Sequence, residues 1–359
     1  MFILLFVITA FSCGKDDSYI PVIVDDDPVQ VSPVVLDIEQ VPYQTLTEYN
    51  FFEGAMKDLI PVYGVLPYDM ISPLFSDYAQ KKRFIWMPSD VSASYVNDYS
   101  ILDFPVGTVL IKNFYYENVL PDLDTKILET RLQIKKADGW LFANYKWNNE
   151  QTQAEFDLNG SSVPLSFIEN DEERSVNYRI PSGSQCLTCH KSDNDVPQPI
   201  GVKPQNLNKP LAYVDGSKNQ LVKWVEMGYL TPNYPNAIDT VVDWEDGTQP
   251  LELRVRSYLD INCAHCHSDN RHCDYRPIRF AFHESDIVNL GVCVRADEIF
   301  DQAITNIVNP RNPERSIMYV RLNSVAPELR MPLLGRTLRH EEGIDLIRTW
   351  INSLTGNCN

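Results

Sequence analysis

The amino-acid sequence predicts a multidomain chain in which an all-β, sandwich-like N-terminal domain precedes one or more α-helical domains. The chain has 359 residues, which is more than one ordinary domain needs. Residues 46–180 combine two-residue alternation with turn signals, a pattern typical of strands. Apolar residues at helical spacing follow only after residue 180.

The β-rich region contains several recognisable strand and turn signals. Residues 104–111 (FPVGTVLI) indicate a turn that leads into a strand, and residues 129–134 (ETRLQI) alternate in polarity. Asp138 and Gly139 form a hairpin signal before residues 140–147. The many aromatic residues of this region are expected to pack its core.

Three segments after residue 180 have helical periodicity. Residues 250–262 place Leu251, Val255, Tyr258 and Leu259 on one side of a helix. Residues 218–229 predict another helix, and a stripe of apolar residues over 344–354 predicts one that closes the chain.

Two Cys-x-x-Cys-His motifs carry the strongest chemical signal. They are Cys186-Leu-Thr-Cys189-His190 and Cys263-Ala-His-Cys266-His267. This spacing places two thiols on one side of a helical turn, where they can bond to the vinyl groups of a haem, and the following imidazole can bind the iron. The sequence therefore predicts two covalently bound haem c groups, with His190 and His267 as iron ligands.

Zinc binding and dithiol redox chemistry are two other functions that cysteines at this spacing can have. Structural zinc sites need four ligands, usually from paired Cys-x-x-Cys knuckles, and the two motifs together supply enough thiolates for one. A thioredoxin-like dithiol follows a strand in an α/β setting, which neither motif has. Haem is the favoured interpretation, and zinc stays open.

The second motif has the further parts of a small cytochrome c. A helix leads into Cys263, Met331-Pro332 follows later, and a closing helix comes last. The thioether of Met331 is a suitable sixth ligand for iron, and His/Met ligation favours electron transfer over oxygen chemistry. Residues 247–359 are thus predicted to be an α-helical, cytochrome c-like domain that holds the second haem.

The first motif is less complete. A turn, rather than a long helix, precedes Cys186 in the segment predicted as the first haem-binding unit, residues 181–246. Met227 is the only methionine between the motifs and is the candidate sixth ligand. Alternatives are an open iron face or one of His272, His283 and His340.

The N-terminus resembles an export signal. Residues 1–12 are almost wholly apolar but too short to span a bilayer, for which about 20 residues are needed. Cys13 ends a sequence that resembles a lipoprotein box, so it is the expected lipidation site. Residues 13–45 are acidic and proline-rich and predict a tether. The expected location is outside the cytoplasm, lipid-anchored to the outer membrane on its periplasmic or cell-surface face.

The remaining cysteines and the charge add two expectations. A disulfide between Cys273 and Cys293 is predicted, and Cys358 has no assigned role. The net charge of −18 and the lack of basic clusters exclude nucleic-acid binding. Expected partners are other redox proteins or a quinone-linked donor.

Beyond the motifs, the chain resembles a family of bacterial diheme c-type cytochromes. The residues that carry the resemblance are PLFSDYA at 73–79, FPVGT at 104–108, ETRL at 129–132, QCLTCH at 185–190, PIG at 199–201, NQL at 219–221, YLDINCAHCH at 258–267, Met331-Pro332 and Trp350-Ile351. The resemblance implies a β-rich N-terminal region fused to helical segments that bind haem.

The expected function is electron transfer between redox partners. The alternative is a haem enzyme of the diheme peroxidase kind, in which the first haem provides an open catalytic iron. A third interpretation is a binding module, in which the β-rich region binds a ligand and the haems respond to the redox state.

Overall fold

The structure, a computed structural model, describes residues 30–358. The predicted signal sequence 1–12, the lipidation site Cys13 and residues 13–29 of the predicted tether lie outside these residues.

Within the described residues the backbone forms short and long strands. They are β1 (Phe52–Glu53), β2 (Ile60–Pro61), β3 (Leu66–Tyr68), β4 (Gln80–Trp86), β5 (Val109–Val119), β6 (Asp124–Lys136), β7 (Gly139–Trp147), β8 (Ala154–Phe156), β9 (Ser161–Glu169), β10 (Glu172–Ile180), β11 (Pro210–Tyr213) and β12 (Gly216–Asn219).

The helices are fewer and short. They are α1 (Gly183–Cys189), α2 (Pro204–Leu207), α3 (Gln220–Glu226), α4 (Leu251–Leu259), α5 (Ile317–Leu322) and α6 (Glu341–Ser353). A π-helical turn, Asp260–Ala264, continues α4, and single 3-10 turns occupy Leu46–Tyr49, Met56–Asp58 and Pro313–Arg315.

One eight-stranded antiparallel sheet dominates the β-rich region. The strands run in the order β10-β9-β5-β6-β7-β8, while β4 pairs with β5 and with β3. The predicted hairpin between β6 and β7 is confirmed, with Lys136 opposite Gly139. The strands of 46–180 thus join one principal sheet, not the two facing sheets of the expected sandwich.

The two faces of this sheet differ in chemistry. Phe84, Ile111, Leu132 and Ala143 lie directly opposite one another across β4 to β7, and all are buried in one apolar cluster. The next row, on the other face, is polar and begins with Arg83. Because side chains alternate between faces, the first face is an apolar core and the second carries a strip of charge.

Residues of the segment before the sheet cover its apolar face. Leu46, Tyr49 and Phe51 are fully buried in the same cluster, and the Tyr49 and Tyr145 hydroxyls lie 2.8 Å apart. Val34 and Leu36, in the second part of the predicted tether, also pack against it.

Helices α4 and α6 cross closely in the C-terminal part of the chain. Val255 and Leu259 of α4 share a buried cluster with Ile347 of α6. Gly343 allows this approach, because a Cβ atom there would lie 2.6 Å from Cε2 of the Tyr258 ring. The sequence periodicity of both helices is therefore reproduced as local structure.

The predicted fold class as a whole is wrong. Strand is the commoner regular structure, at 28% against 19% helix, and no helical cytochrome-like domain is evident in the described residues. Most of residues 265–340 form turns and irregular loops, because this stretch lacks a sustained helical period. Two packed helices do not make the helical domain that was expected.

The predicted Cys273–Cys293 disulfide is also wrong. Cys293 is bonded to Cys358, with a Cα–Cα distance of 5.0 Å. Arg311 holds the chain end in place by donating hydrogen bonds to the Gly356 carbonyl and to Asn357 Oδ1. Cys273 is instead held beside the second motif, since its backbone N–H donates to the Cys266 carbonyl at 3.0 Å.

A search of the described residues for a membrane-crossing helix, one with sufficient length and apolar character, finds none.

We expect Gly343→Ala to lower the free energy of unfolding by about 1–3 kcal/mol, because the added methyl overlaps the Tyr258 ring. The matched control is Gly183→Ala in α1, where a Cβ would approach only the Leu158 side chain, at 3.4 Å. Urea unfolding followed by circular dichroism measures both. Equal effects of the two substitutions would contradict the close crossing of α4 and α6.

We expect Cys358→Ser to destabilise the oxidised protein by roughly 4 kcal/mol, because the bridge closes a loop with a sequence separation of 65 residues. Cys273→Ser should change the free energy of unfolding little, since Cys273 forms no disulfide. Peptide mapping under non-reducing conditions checks the pairing directly. A peptide that links Cys273 to Cys293 would contradict the structure.

Candidate functional site

The first motif lies on the short helix α1. The Ser182 hydroxyl accepts a hydrogen bond from the Gln185 N–H, and the Gln185 side chain accepts one from the Ser182 N–H. This capping box fixes the start of a helix whose sequence is otherwise too short to be stable alone. Cys186 is buried, Cys189 is partly exposed, and His190 ends the helix.

The His190 imidazole has a defined orientation. Its Nδ1 lies 2.9 Å from the Gln198 carbonyl oxygen, which can only accept, so Nδ1 carries the hydrogen and Nε2 has a free lone pair. The ring contacts Phe142 of β7, with 4.8 Å between ring centres. Burial lowers the pKa of His190 to about 3, so the imidazole is neutral near pH 7. A neutral, oriented imidazole is the form that binds a metal ion.

The second motif follows α4 through the π-helical turn. The N–H groups of Cys266 and His267 both donate to the Cys263 carbonyl, at 3.0 and 2.9 Å. Asn262 anchors this turn, because its Oδ1 accepts from the Phe75 N–H and its Nδ2 donates to the Tyr258 carbonyl. The turn therefore presents Cys263, Cys266 and His267 from a fixed base.

A cavity of about 360 Å³ lies beside the second motif. Cys263, Cys266, His267 and Met331 all line it. The apolar part of its wall consists of Leu259, Ile278, Phe280, Ile307, Ile317, Met318 and Leu322. The volume lies within the roughly 300–1,000 Å³ of pockets that hold small molecules and cofactors.

The polar atoms of this cavity are only partly satisfied. Nδ1 of His267 is buried without a hydrogen-bond partner. Burial lowers the pKa of His267 to about 4 and raises that of Cys263 to about 12, so both side chains are neutral near pH 7. An unpaired buried nitrogen is costly, which fits a site that is completed by another group.

The structure brings the two motifs together. The ligand atoms of Cys189, His265 and Cys266 lie within 4.8 Å of one another, and the Thr188 carbonyl lies 3.9 Å from Cys266 Sγ. The segments after the motifs also meet, because Ser192 and Arg271 form a β-bridge. Sequence spacing gave no signal of this contact.

A second cavity, of about 340 Å³, lies on the other side of Cys189 and His265. Its wall is polar and includes Lys203 and Asp260, whose side chains form an ion pair of 2.8 Å. Ile200 and Ile261 line both this cavity and a small one, of about 40 Å³, beside His190. Cys189 and His265 thus line both a mostly polar cavity and a mostly apolar one.

The candidate sixth ligands of the first haem lie elsewhere. Met227 ends α3 and packs against the cluster around Trp224, and it does not line the small cavity beside His190. His272 lines the cavity of the second motif, His283 lines the polar cavity, and His340 is buried against Phe75. None of these residues is brought to His190.

Met70 lines the small cavity beside His190, and it is not among the ligand candidates predicted from the sequence. It is buried in the loop after β3, far from the motif in sequence, so spacing alone could not have indicated it. Arg83, Lys112 and Arg131 of the sheet line the same cavity and are also far from the motif in sequence, so spacing does not indicate them either.

Comparisons with known proteins give no match: no protein family, curated protein or solved structure matches the chain. The resemblance to diheme c-type cytochromes therefore stays a prediction.

We expect the haem-free chain, treated with a mild thiol oxidant, to form a disulfide between the peptide that contains Cys189 and a peptide from residues 263–273. The reason is that the Cys189 and Cys266 sulfur atoms lie within 4.8 Å of each other. Peptide mapping by mass spectrometry measures the link, and Cys189→Ser should abolish it. If only Cys186–Cys189 and Cys263–Cys266 disulfides form, the two motifs do not adjoin.

Proposed function

We propose that this chain binds two haem groups covalently, one at each Cys-x-x-Cys-His motif, and transfers electrons between redox partners outside the cytoplasm. The observation that carries the proposal is the cavity in which Cys263, Cys266, His267 and Met331 meet. It contains the two thiols, the imidazole and the thioether that such a site requires, within one mostly apolar wall.

The residues of the second motif have separate tasks in this proposal. Cys263 and Cys266 would form the thioether bonds, and His267 and Met331 would bind the iron. The mostly apolar wall would lower the polarity around the iron, and binding by both His267 and Met331 would leave no position for a substrate, which favours a one-electron carrier. When bound, the haem supplies the one-electron chemistry.

At the first motif, Cys186 and Cys189 would hold the second group and His190 would bind its iron through Nε2. The Gln198 carbonyl keeps that nitrogen unprotonated and fixes the ring. Since Cys189 and Cys266 adjoin, the two groups would be attached at neighbouring points of the chain. Such proximity suits electron exchange between them.

The proposed location and partners come from sequence. The apolar residues 1–12, Cys13 and the acidic segment after it support export and lipid anchoring. The net charge of −18 supports encounter with a basic protein partner, through long-range attraction.

One observation favours a second candidate, a zinc–thiolate site. Cys189, His265 and Cys266 already lie at ligand distances, and Cys273 is held next to Cys266 through the backbone. These four residues are a common donor set for structural zinc. Cys186, Cys263, His190 and His267 would then have no common role, which is why haem is the preferred proposal.

The two proposals differ in the cysteines they need. We expect the full chain, produced in a host that matures c-type cytochromes, to carry two covalent haems by intact mass and pyridine haemochrome absorption. Cys186→Ala and Cys263→Ala should each remove one haem, and Cys273→Ala should remove none. The zinc site predicts the reverse: zinc without haem, lost with Cys273→Ala and kept with Cys263→Ala.

The ligand role of Met331 is tested on the same preparation. Met331→Leu should abolish the weak ferric absorption band that a methionine–iron bond produces, while Met318→Leu, in the same cavity wall, should leave it unchanged. If Met331→Leu leaves the electron paramagnetic resonance and absorption spectra unaltered, Met331 is not the ligand.

A further inference from the structure

Three cations lie in one row on the charged face of the sheet. Arg83 of β4 is directly opposite Lys112 of β5, and Lys112 is directly opposite Arg131 of β6. Directly opposed side chains on neighbouring strands are about 4.5–5.5 Å apart at Cβ, and like charges there are destabilising. A row of three cations needs a compensating group.

The row is also shielded from much of the bulk solvent, with Arg83 buried and Lys112 and Arg131 partly exposed. Arg83 has a side chain that is 4% exposed, and Arg131 is 24% exposed. Apolar clusters flank the row on the same face, with Leu110 on one side and Phe114 on the other. Buried charges are normally paired, because leaving water costs them their hydration.

Two of the three cations have anionic partners. Arg83 pairs with Asp69 at 2.7 Å, but Asp69 also accepts from Lys209 at 2.9 Å. Arg131 forms a two-pronged pair with the buried Glu129. The neighbouring carboxylates are thus already engaged.

The Lys112 ammonium group has no ion pair or hydrogen bond with the described residues, and its Nζ lies 4.9 Å from the centre of the Phe114 ring. Burial holds the pKa of Lys112 well below its usual value, and the charges of Arg83, Lys81 and Arg131 lower it further, while Glu129 opposes them. Lys81, two residues before Arg83, adds a further cation, with Asp77 as its opposing charge. Lys112 is therefore the member of the row that has no anionic partner among the described residues, and an anion bound beside it would favour its charged form.

The row faces the first motif. Arg83, Lys112 and Arg131 line the small cavity that His190 and Met70 also line. An imidazole carries no negative charge, and Nδ1 of His190 is bound to the Gln198 carbonyl, so His190 does not compensate the cations. A ligand held by His190 would therefore meet a ready-made anion site.

We propose that the Arg83–Lys112–Arg131 row binds a pair of carboxylates, and that these are the propionates of the haem attached at Cys186 and Cys189. This inference rests on the proposed function. A haem carries two carboxylates on one edge. Each guanidinium has five N–H donors, so Arg83 and Arg131 keep donors for a further carboxylate beside their pairs with Asp69 and Glu129. Lys112 would supply the remaining unpaired charge.

The proposal is tested on the haem-loaded full chain with Lys112→Met, which removes the charge and keeps the length of the side chain. We expect the midpoint potential of one haem to fall while that of the other stays unchanged, because a cation beside the haem favours the reduced, less positive iron. Lys112→Arg should restore the wild-type potential. Lys82→Met, at an exposed position on the same strand as Arg83, is the matched control and should shift neither haem.

The outcomes separate this proposal from the proposed function. If both haems are present and Lys112→Met behaves like Lys82→Met, the propionate site is wrong and the haem function stands. If the purified chain carries no haem, the haem function is wrong. In that case thermal stabilisation of the wild type by succinate, absent in Lys112→Met, would show a free dicarboxylate as the ligand of the row, and no stabilisation would overturn the row as an anion site.

Discussion

The segment of residues 69–77, between β3 and β4, connects the sheet to both motifs, and buried polar side chains hold it there. The Asn206 side chain both accepts from and donates to the backbone of Ser72, and Gln220 does the same with Asp69. Asn262, next to Cys263, accepts from the Phe75 N–H. Each amide satisfies backbone groups that a loop would otherwise leave unpaired, so these loops can be buried.

Asp77 ends this segment and makes its longest connection. Its carboxylate accepts hydrogen bonds from the Thr337 N–H, the Thr337 hydroxyl and the Leu338 N–H. Since Thr337 follows Met331 in the same loop, the carboxylate fixes the loop that brings Met331 to the cavity of the second motif. The positions of the candidate iron ligands thus depend on polar contacts more than on helix packing.

This dependence explains what the sequence could and could not predict. Helix α4 and helix α6 have a regular apolar period, and the β6–β7 hairpin has characteristic turn residues, so the sequence predicts all three elements. The predicted fold class is wrong because side-chain hydrogen bonds, the Cys293–Cys358 bridge and turns order residues 265–340. None of these features gives the sequence a helical or strand period. Met70 and His190 line one cavity, and Cys189 lies close to Cys266. These residues are far apart in the chain, so spacing carries no information about their proximity.

The two motifs differ in their surroundings, and this difference bears on the direction of electron flow under the proposed function. The second motif faces an apolar cavity, whereas the first faces Arg83, Lys112 and Arg131. Positive charge near an iron centre raises its reduction potential by electrostatic attraction for the added electron. A thioether ligand and an apolar wall also raise the reduction potential, through ligation and burial of the iron. If both sites hold haem as proposed, separate groups would therefore set their two reduction potentials. The net charge of the chain is −18 although these cations lie in its interior, so the excess of acidic residues lies in other parts of the chain. There it can attract a basic partner without neutralising the positive charge beside the first motif.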